Sequence, residues 1–443
     1  MTRPVGDIKT SFRDPVHGMI HVNAIELEII SRPPFQRLRN IRQLGTTYKV
    51  YHGAEHTRFG HSLGVMFLVS KAMDKLGSRP PLKGTKEFER LKQLIRLAAL
   101  MHDLGHGPFS HVGEELFAEG KSHEQYSRGI IKEYYSDIFG KEHIKDLGIS
   151  VGDVTSLLEK GAHDKHLYFV NNLIDGQLDA DKMDYLLRDT HYCGVNYGRY
   201  DLERLLDTLV ICETANEERV LGVESDGVHA VEEFVFARYW MFLQVYFHKT
   251  RRIFDHYLIE YMKEQFDTLP TSLEDFIKLD DNEVLRQIAS SNNYWAGRLN
   301  QRQPMKEVFV SPPHCDRGDI DRFTQMIDEF RKKFPDLEGR LTYIDRASGS
   351  TTKELVNINL YTEDGDEPGE QKIPAIPVLD KHLAEVQPIQ RYSIPIQGLT
   401  EKNINLLRIY ADTNQPGMGG AINFWPEFEG KLKEGRKKWG GES

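Results

Sequence analysis

The stretch Ala99-Leu100-Met101-His102-Asp103-Leu104-Gly105-His106-Gly107-Pro108-Phe109-Ser110-His111 places an adjacent His-Asp pair at the end of an apolar run. Two further histidines follow, spaced by glycines and a proline. Upstream, Leu91, Leu94, Ile95, Leu97, Ala98 and Met101 alternate with Lys92, Gln93 and Arg96. That spacing predicts a helix with one buried face. Gly105, Gly107 and Pro108 stop it. His102 and Asp103 are therefore expected in its last turn, where a mostly fixed backbone aims both side chains at one point. A neutral imidazole and a carboxylate suit a divalent ion of intermediate hardness.

Composition narrows the setting. The chain has 443 residues, 39% hydrophobic and 28% charged, which fits two or three globular domains. No apolar run approaches the roughly 18 residues that suggest a membrane span. Residues 1–7 lack the apolar centre of a signal peptide. Cys193, Cys212 and Cys315 are few, odd in number and outside any CxxC pair. A reducing, cytoplasmic setting is expected, and a thiolate zinc site is not. The net charge of −10 argues against a nucleic-acid-coating surface, so neither nucleic acid nor membrane is the expected main partner. An anionic substrate would need local cations, and Arg32, Arg37, Arg39, Arg42, Lys49 and Arg58 cluster in sequence to supply them.

In chain order, residues 1–23 read as an extended lead-in with one short strand around Ile20 and Val22. Residues 24–44 suit two short helices broken at Arg32-Pro33-Pro34, with Phe35, Leu38 and Ile41 facing inward and Arg37, Arg39 and Arg42 pointing elsewhere. A long helix is predicted over 56–76, a loop over 79–84, more helix over 113–138 and 140–170, and an acidic helical motif over 172–192. Residues 230–265 read as one long aromatic-rich helix. Residues 270–334 stay helical but are more polar. Strands are expected at 340–344, 355–361 and 386–394, with a turn-rich connector at 362–370 and a Gly- and Lys-rich tail from Gln415.

Five motifs, in order between Asp14 and Lys249, carry a resemblance: Asp14-Pro15-Val16-His17-Gly18, Phe35 to Gly45, His56 to Val65, His102 to His111, and Asp179-Ala180-Asp181-Lys182-Met183-Asp184-Tyr185. Together they resemble the HD-domain metal-dependent phosphohydrolases and, within them, the deoxynucleoside triphosphate triphosphohydrolases. The resemblance implies a mainly α fold, with an HD-domain helical metallohydrolase core and a smaller α+β C-terminal region. The expected division is an N-terminal segment over 1–50, a catalytic domain over 51–265, a helical extension over 266–334 and the α+β region with its tail over 335–443.

The resemblance also implies one divalent ion held by His61, His102, Asp103 and Asp181. Two imidazoles and two carboxylates give a roughly neutral site around a dication and leave open positions for a hydrolytic ion. Iron, manganese, zinc, nickel and magnesium all remain open. Asp181, Tyr185, Arg188 and Asp189 share one helical face by their spacing. Arg58 lies one turn before His61, within reach of the same phosphate. Arg238 and Tyr246 are eight apart and share a face. By resemblance, Lys182 and Arg238 grip the outer phosphates, Tyr185 and Tyr246 pack against the sugar, and Gln43, Leu44 and Asp189 lie near sugar and base.

Histidine titrates near working pH, so His106, His111 and His123 are candidates for the acid that protonates the leaving oxygen. His111 leads by resemblance. Glu114 lies one turn on and would orient it, and Glu124 accompanies His123. Gln36 and Arg39 match positions of a regulatory nucleotide site, so an activator nucleotide and a homo-oligomer, dimer or tetramer, are expected as partners. Ser31, Thr10, Gly60 and Phe242 depart from the family pattern, which leaves guanine preference and proton donor open. The expected activity is cleavage of a dNTP to deoxynucleoside and inorganic triphosphate. The rivals are another HD phosphohydrolase acting on a monophosphate, cyclic or modified nucleotide, and a non-catalytic nucleotide sensor.

Overall fold

The structure is a computed structural model that describes residues 4–159, 166–213, 218–314, 317–334, 342–348, 376–381, 385–400 and 404–413. Its centre is a group of three helices. Arg58–Gly77 packs against Glu87–Met101 on one side and Ala180–Cys193 on another. The apolar spacing explains the packing. Leu63, Val65, Met66, Leu68, Val69, Ala72, Met73 and Leu76 are all buried, and so is the whole run from Leu91 to Met101. Asp179 caps the third helix by accepting from Lys182 N at 2.7 Å, and Gly194, at φ +69°, ends it.

One apolar core runs from Ile20 to Met305 and takes in Ile376, Val378, Ile389 and Tyr410 from the C-terminal part. A second, smaller cluster of Phe309, Phe323, Met326, Ile327, Phe330, Leu407 and Ile409 lies between the Arg317–Lys333 helix and a sheet. Nine strands form three sheets among the described residues. Strands β1 (Thr10–Asp14) and β2 (Gly18–Val22) make an antiparallel hairpin. Strands β3 (Leu209–Glu213), β4 (Arg219–Glu224), β7 (Pro377–Asp380) and β8 (Glu385–Pro388) lie side by side in that order, antiparallel except for β4–β7. The third sheet is antiparallel with order β5 (Lys306–Val310), β9 (Asn405–Ala411), β6 (Thr342–Ser348).

The mainly α reading with an α+β C-terminal part holds, and several local expectations need correction. The lead-in holds two strands, because Asp14 turns the chain by accepting from Val16 N and His17 N, each at 2.9 Å. Residues 230–265 are not one helix. The helix Val228–Met241 passes into a π turn, Phe242–Tyr246, and a new helix, Lys249–Gln265, begins after His248. Strand β5 interrupts the stretch 270–334. The strand expected at 386–394 ends at Pro388 and continues as a 3₁₀ turn over Ile389–Arg391. The expected strand at 355–361, the connector at 362–370 and the tail from Gln415 lie outside the described residues.

Candidate metal centre and substrate pocket

His61 projects from the Arg58–Gly77 helix, His102 stands at the C-cap of Glu87–Met101, and Asp181 sits in the first turn of Ala180–Cys193. Three elements thus converge, and donor atoms of the three residues lie within 4.8 Å of one another. His61 Nε2 is 2.8 Å from Asp181 Oδ1 and 3.7 Å from Asp103 Oδ2. His102 Nε2 is 3.1 Å from Asp103 Oδ1 and 3.8 Å from Asp181 Oδ1. The four residues expected as ligands are therefore neighbours.

The two imidazoles carry the fit to an ion. His102 Nδ1–H donates to the Ala99 carbonyl at 2.7 Å, satisfying a carbonyl at the helix end. His61 Nδ1–H donates to Asp184 Oδ2 at 2.8 Å. With Nδ1 donating, each ring turns its Nε2 toward the common point, where the deprotonated nitrogen presents a lone pair, and both Nε2 atoms are buried without a hydrogen-bond partner. A buried polar atom without a partner is costly, and a cation at this point removes that cost twice. The charge agrees. Burial disfavours a charged His61, yet the facing Asp181 carboxylate, the bond to Asp184 and the field of Asp103 outweigh burial and raise its pKa to about 10, so a cation that binds here takes the place of a proton at Nε2. That same negative potential favours a dication. Side-chain exposure rises from 0% at His61 to 13% at His102 and 34% at Asp181, so the centre opens on the Asp181 side.

A layer behind the ligands fixes their aim. Asp184 accepts from His17 Nε2 at 2.6 Å, from His61, and from Arg188 through both Nε and Nη2. Arg188 also donates to Asp14 Oδ2 at 2.8 Å. Two helices must come close for this, and Gly64 permits it: a Cβ there would lie 1.9 Å from Asp184 Oδ1. Arg188, on the same stretch of the Ala180–Cys193 helix, is thus engaged by Asp184 and Asp14. Arg58 is buried and donates to Asp103 Oδ2 at 2.6 Å and to Ser110 Oγ at 2.7 Å. Burial raises the Asp103 carboxyl, but Arg58, His102 and His106 hold it well below the usual carboxylate range.

The three candidate acids gather around one carboxylate. Glu114 Oε1 is 2.9 Å from His111 Nδ1, 3.0 Å from His123 Nδ1 and 3.2 Å from His106 Nδ1. The His106 and His123 rings stack with centroids 4.1 Å apart. Gly105 brings them together, since a Cβ there would meet the His123 carbonyl oxygen at 2.0 Å. Glu124 Oε2 is 3.6 Å from His123 Nδ1. Burial, then Arg58 and His123, push His106 down to about 4. Burial disfavours charge at His123, but Glu114 outweighs it and raises the ring's pKa. His111 is the exposed member, at 67% of its side chain.

The pocket residues expected from the sequence are placed as follows. Asp189 accepts from Tyr246 Oη at 2.6 Å and from His56 Nε2 at 2.7 Å. The π turn delivers Tyr246 to that bond, and its ring is 6.2 Å from Tyr185, edge to face. Gln43 and Leu44 are buried. Lys182 donates to Asp179 Oδ2 at 2.5 Å and to the Gly176 carbonyl at 3.0 Å. Arg238 is buried with its guanidinium 5.8 Å from the Phe242 ring. Gln36 and Arg39 touch: Arg39 Nε donates to Gln36 Oε1 at 2.9 Å while its guanidinium lies 3.5 Å from the Phe59 ring.

The basic cluster does not act as one patch. Arg32 pairs with Glu28 and Asp137, and Arg42 with Glu55. Arg37 is buried, donating to the carbonyls of Leu279 and His106. Lys49 donates to the Leu299 carbonyl. Sequence proximity hid this, because the partners come from distant segments. Asp184 and His56 were missed as supports. The one signal for Asp184 was its place three residues after Asp181. For His56 it was its place five before His61.

Comparison with known proteins agrees with this geometry. Residues 58–188 match the HD domain, and residues 200–327 match the HD associated region. The chain is 38% identical over 300 residues to an uncharacterized protein of Bacillus subtilis, covering 62% of this chain and 64% of that protein. It is 31% identical over 334 residues to the human deoxynucleoside triphosphate triphosphohydrolase SAMHD1, covering 65% of this chain and 52% of that protein. The matches thus span less than two thirds of these relatives' own lengths. Among solved structures, a hypothetical protein from Aquifex aeolicus is similar with a TM-score of 0.72 at 29% identity, covering 96% of this chain and 99% of that one. A phosphohydrolase from Bacteroides thetaiotaomicron gives 0.68 at 25% identity, covering 91% of this chain and 100% of that one. No helix among the described residues is long and apolar enough to cross a membrane.

Proposed function

The chain belongs to the HD-domain proteins, and from that premise we propose that it is a metal-dependent phosphohydrolase cleaving dNTPs to deoxynucleoside and inorganic triphosphate. The observation that carries the reading is the pair of buried Nε2 atoms, His61 and His102, without hydrogen bonds beside Asp103 and Asp181. When bound there, a divalent ion supplies Lewis acidity and an activated water. A pure nucleotide sensor has no use for such a centre.

The remaining residues divide the work on the substrate. Arg58 Nη2 is buried without a hydrogen bond and offers a donor to the phosphate nearest the ligands. Lys182 and Arg238 hold the outer phosphates and offset the negative charge that would repel an anionic nucleophile approaching the phosphorus next to the 5′-oxygen; Lys182 exchanges Asp179 for a phosphate oxygen. This need for several cations favours a triphosphate over a monophosphate or cyclic nucleotide. Tyr185 packs on the sugar, and Tyr246, fixed by Asp189, fills the space a 2′-hydroxyl would need. Gln43 and Leu44 complete the nucleoside end. His111 donates its Nε2 proton to the departing 5′-oxygen, its Nδ1 held by Glu114. His106 and His123 with Glu124 surround that carboxylate. Gln36 and Arg39 form an activator site, and the chain works as a cytoplasmic homo-oligomer.

The test is product analysis. The protein is incubated with each dNTP and NTP plus manganese, with and without a second nucleotide, and products are separated by ion exchange. Triphosphate with deoxynucleoside is expected, from dNTPs in preference to NTPs. Pyrophosphate with monophosphate would assign a different hydrolase, and no turnover under any condition would leave the sensor. His111→Gln is expected to lower kcat by about 10²–10⁴-fold, the usual worth of a general acid, at unchanged metal content.

A further inference from the structure

The turn that carries His111 is strained. Phe109 and Ser110 both lie at φ +59°, the left-handed region that residues with a side chain seldom enter. Such a conformation persists only where its surroundings impose it. One restraint is Ser110 Oγ, which donates to the Arg42 carbonyl at 2.5 Å and accepts from Arg58 Nε at 2.7 Å. Another comes from far along the chain. Asp281, the first residue of the helix Asp281–Ser290, is fully buried. Its carboxylate leaves its own helix end, which Asp280 caps by accepting from Glu283 N at 3.0 Å. Instead Asp281 Oδ1 accepts from Phe109 N at 2.6 Å, and Oδ2 accepts from Arg42 N at 2.9 Å. One carboxylate thereby ties two backbone segments. One leads within two residues to His111. The other leads directly into Gln43 and Leu44.

We infer that Asp281 is a positioning residue for the reaction: it holds the strained Phe109-Ser110 turn so that His111 meets the leaving oxygen. The inference rests on the proposed role of His111 as acid. It also gives the HD associated region a stated task, because Asp281 lies in residues 200–327 and its partners lie outside them.

The experiment is a double-mutant cycle on the full chain with manganese and the preferred dNTP. Asp281→Asn keeps the shape but turns an amide group toward an N–H that needs an acceptor. It is expected to lower kcat by on the order of 10–100-fold, as a misplacement of about 1 Å does, with a smaller change in KM. In the His111→Gln background the same substitution should cost less than about 2-fold, because the group it aims is gone. An equal loss in both backgrounds, or an unchanged kcat in Asp281→Asn, would overturn the proposal. If Asp281→Asn does not fold, Asp281→Glu, which keeps the charge and displaces its oxygens, takes its place under the same criteria. A wild-type chain that turns over no nucleotide would mark failure of the functional reading instead. The positional claim is then read from the His111 ring resonances by NMR. They should shift in Asp281→Asn, and unchanged resonances would overturn it.

Discussion

At the residue scale, the side chain on which the centre depends most is one that need not touch the ion. Asp184 takes the Nδ1 proton of His61 and so decides which ring nitrogen faces the ligand point. Burial raises its carboxyl, but Arg188, His17 and His61 outweigh burial and keep it well below the usual carboxylate range. Asp184→Asn keeps the shape but removes the charge that fixes the tautomer. It is expected to weaken manganese binding by about 10–100-fold, measured by calorimetric titration. An unchanged affinity would show that His61 needs no such support. The His-Asp pair and Asp181 were legible because metal-ligand residue types stood at a helix end and in a capped first turn. Asp184 was not. Its meaning comes from Arg188, His17 and Asp14 closing on it from other parts of the chain, and an acid on a helix is by default a solvated one.

At the element scale, the distance between two helices sets the geometry. Gly64 lies where Arg58–Gly77 meets Ala180–Cys193, and an added Cβ would stand 2.5 Å from Arg188 Nη2 as well as close to Asp184. In an isolated helix Gly→Ala gains about 1 kcal/mol. Here Gly64→Ala is expected to destabilise by about 1–3 kcal/mol, the usual cost of overpacking, and to lower metal affinity with it. Thermal unfolding with and without manganese checks both, and a raised Tm would contradict the account. The helices themselves were readable from apolar periodicity. The π turn at Phe242–Tyr246 was not, because neither glycine nor proline marks it. Its hallmark is a backbone bond from Phe247 N to the Phe242 carbonyl at 2.8 Å. The β3–β4 hairpin was likewise missed, since β4 is buried by a parallel partner, β7, about 150 residues on.

At the scale of the whole molecule, His256 joins the main core to the C-terminal sheet. Its ring stacks on Tyr343 of β6 with centroids 3.7 Å apart, and its Nε2 has no hydrogen-bond partner. Burial, then the charge of Lys263, push the ring down to about 4, with Asp345 opposing. The folded state therefore resists a proton that the unfolded chain, near 6.5, accepts. Stability from this residue is complete above about pH 6.5 and is lost as pH falls toward 4, by up to about 3 kcal/mol. Denaturant unfolding at pH 7.5 and 4.5 should show a pH dependence that His256→Phe reduces, and equal dependence in both proteins would contradict the assignment. Composition gave no sign of this contact, which pairs residues 87 apart through packing alone.

The proposed function requires one divalent ion where His61, His102, Asp103 and Asp181 meet. Manganese stoichiometry, measured on wild-type protein and on His102→Gln after dialysis against buffered metal, addresses it most directly. One equivalent per chain is expected in the wild type, and its loss in a His102→Gln variant that remains folded by circular dichroism. A wild type without bound metal, or a full equivalent retained by folded His102→Gln, would contradict it.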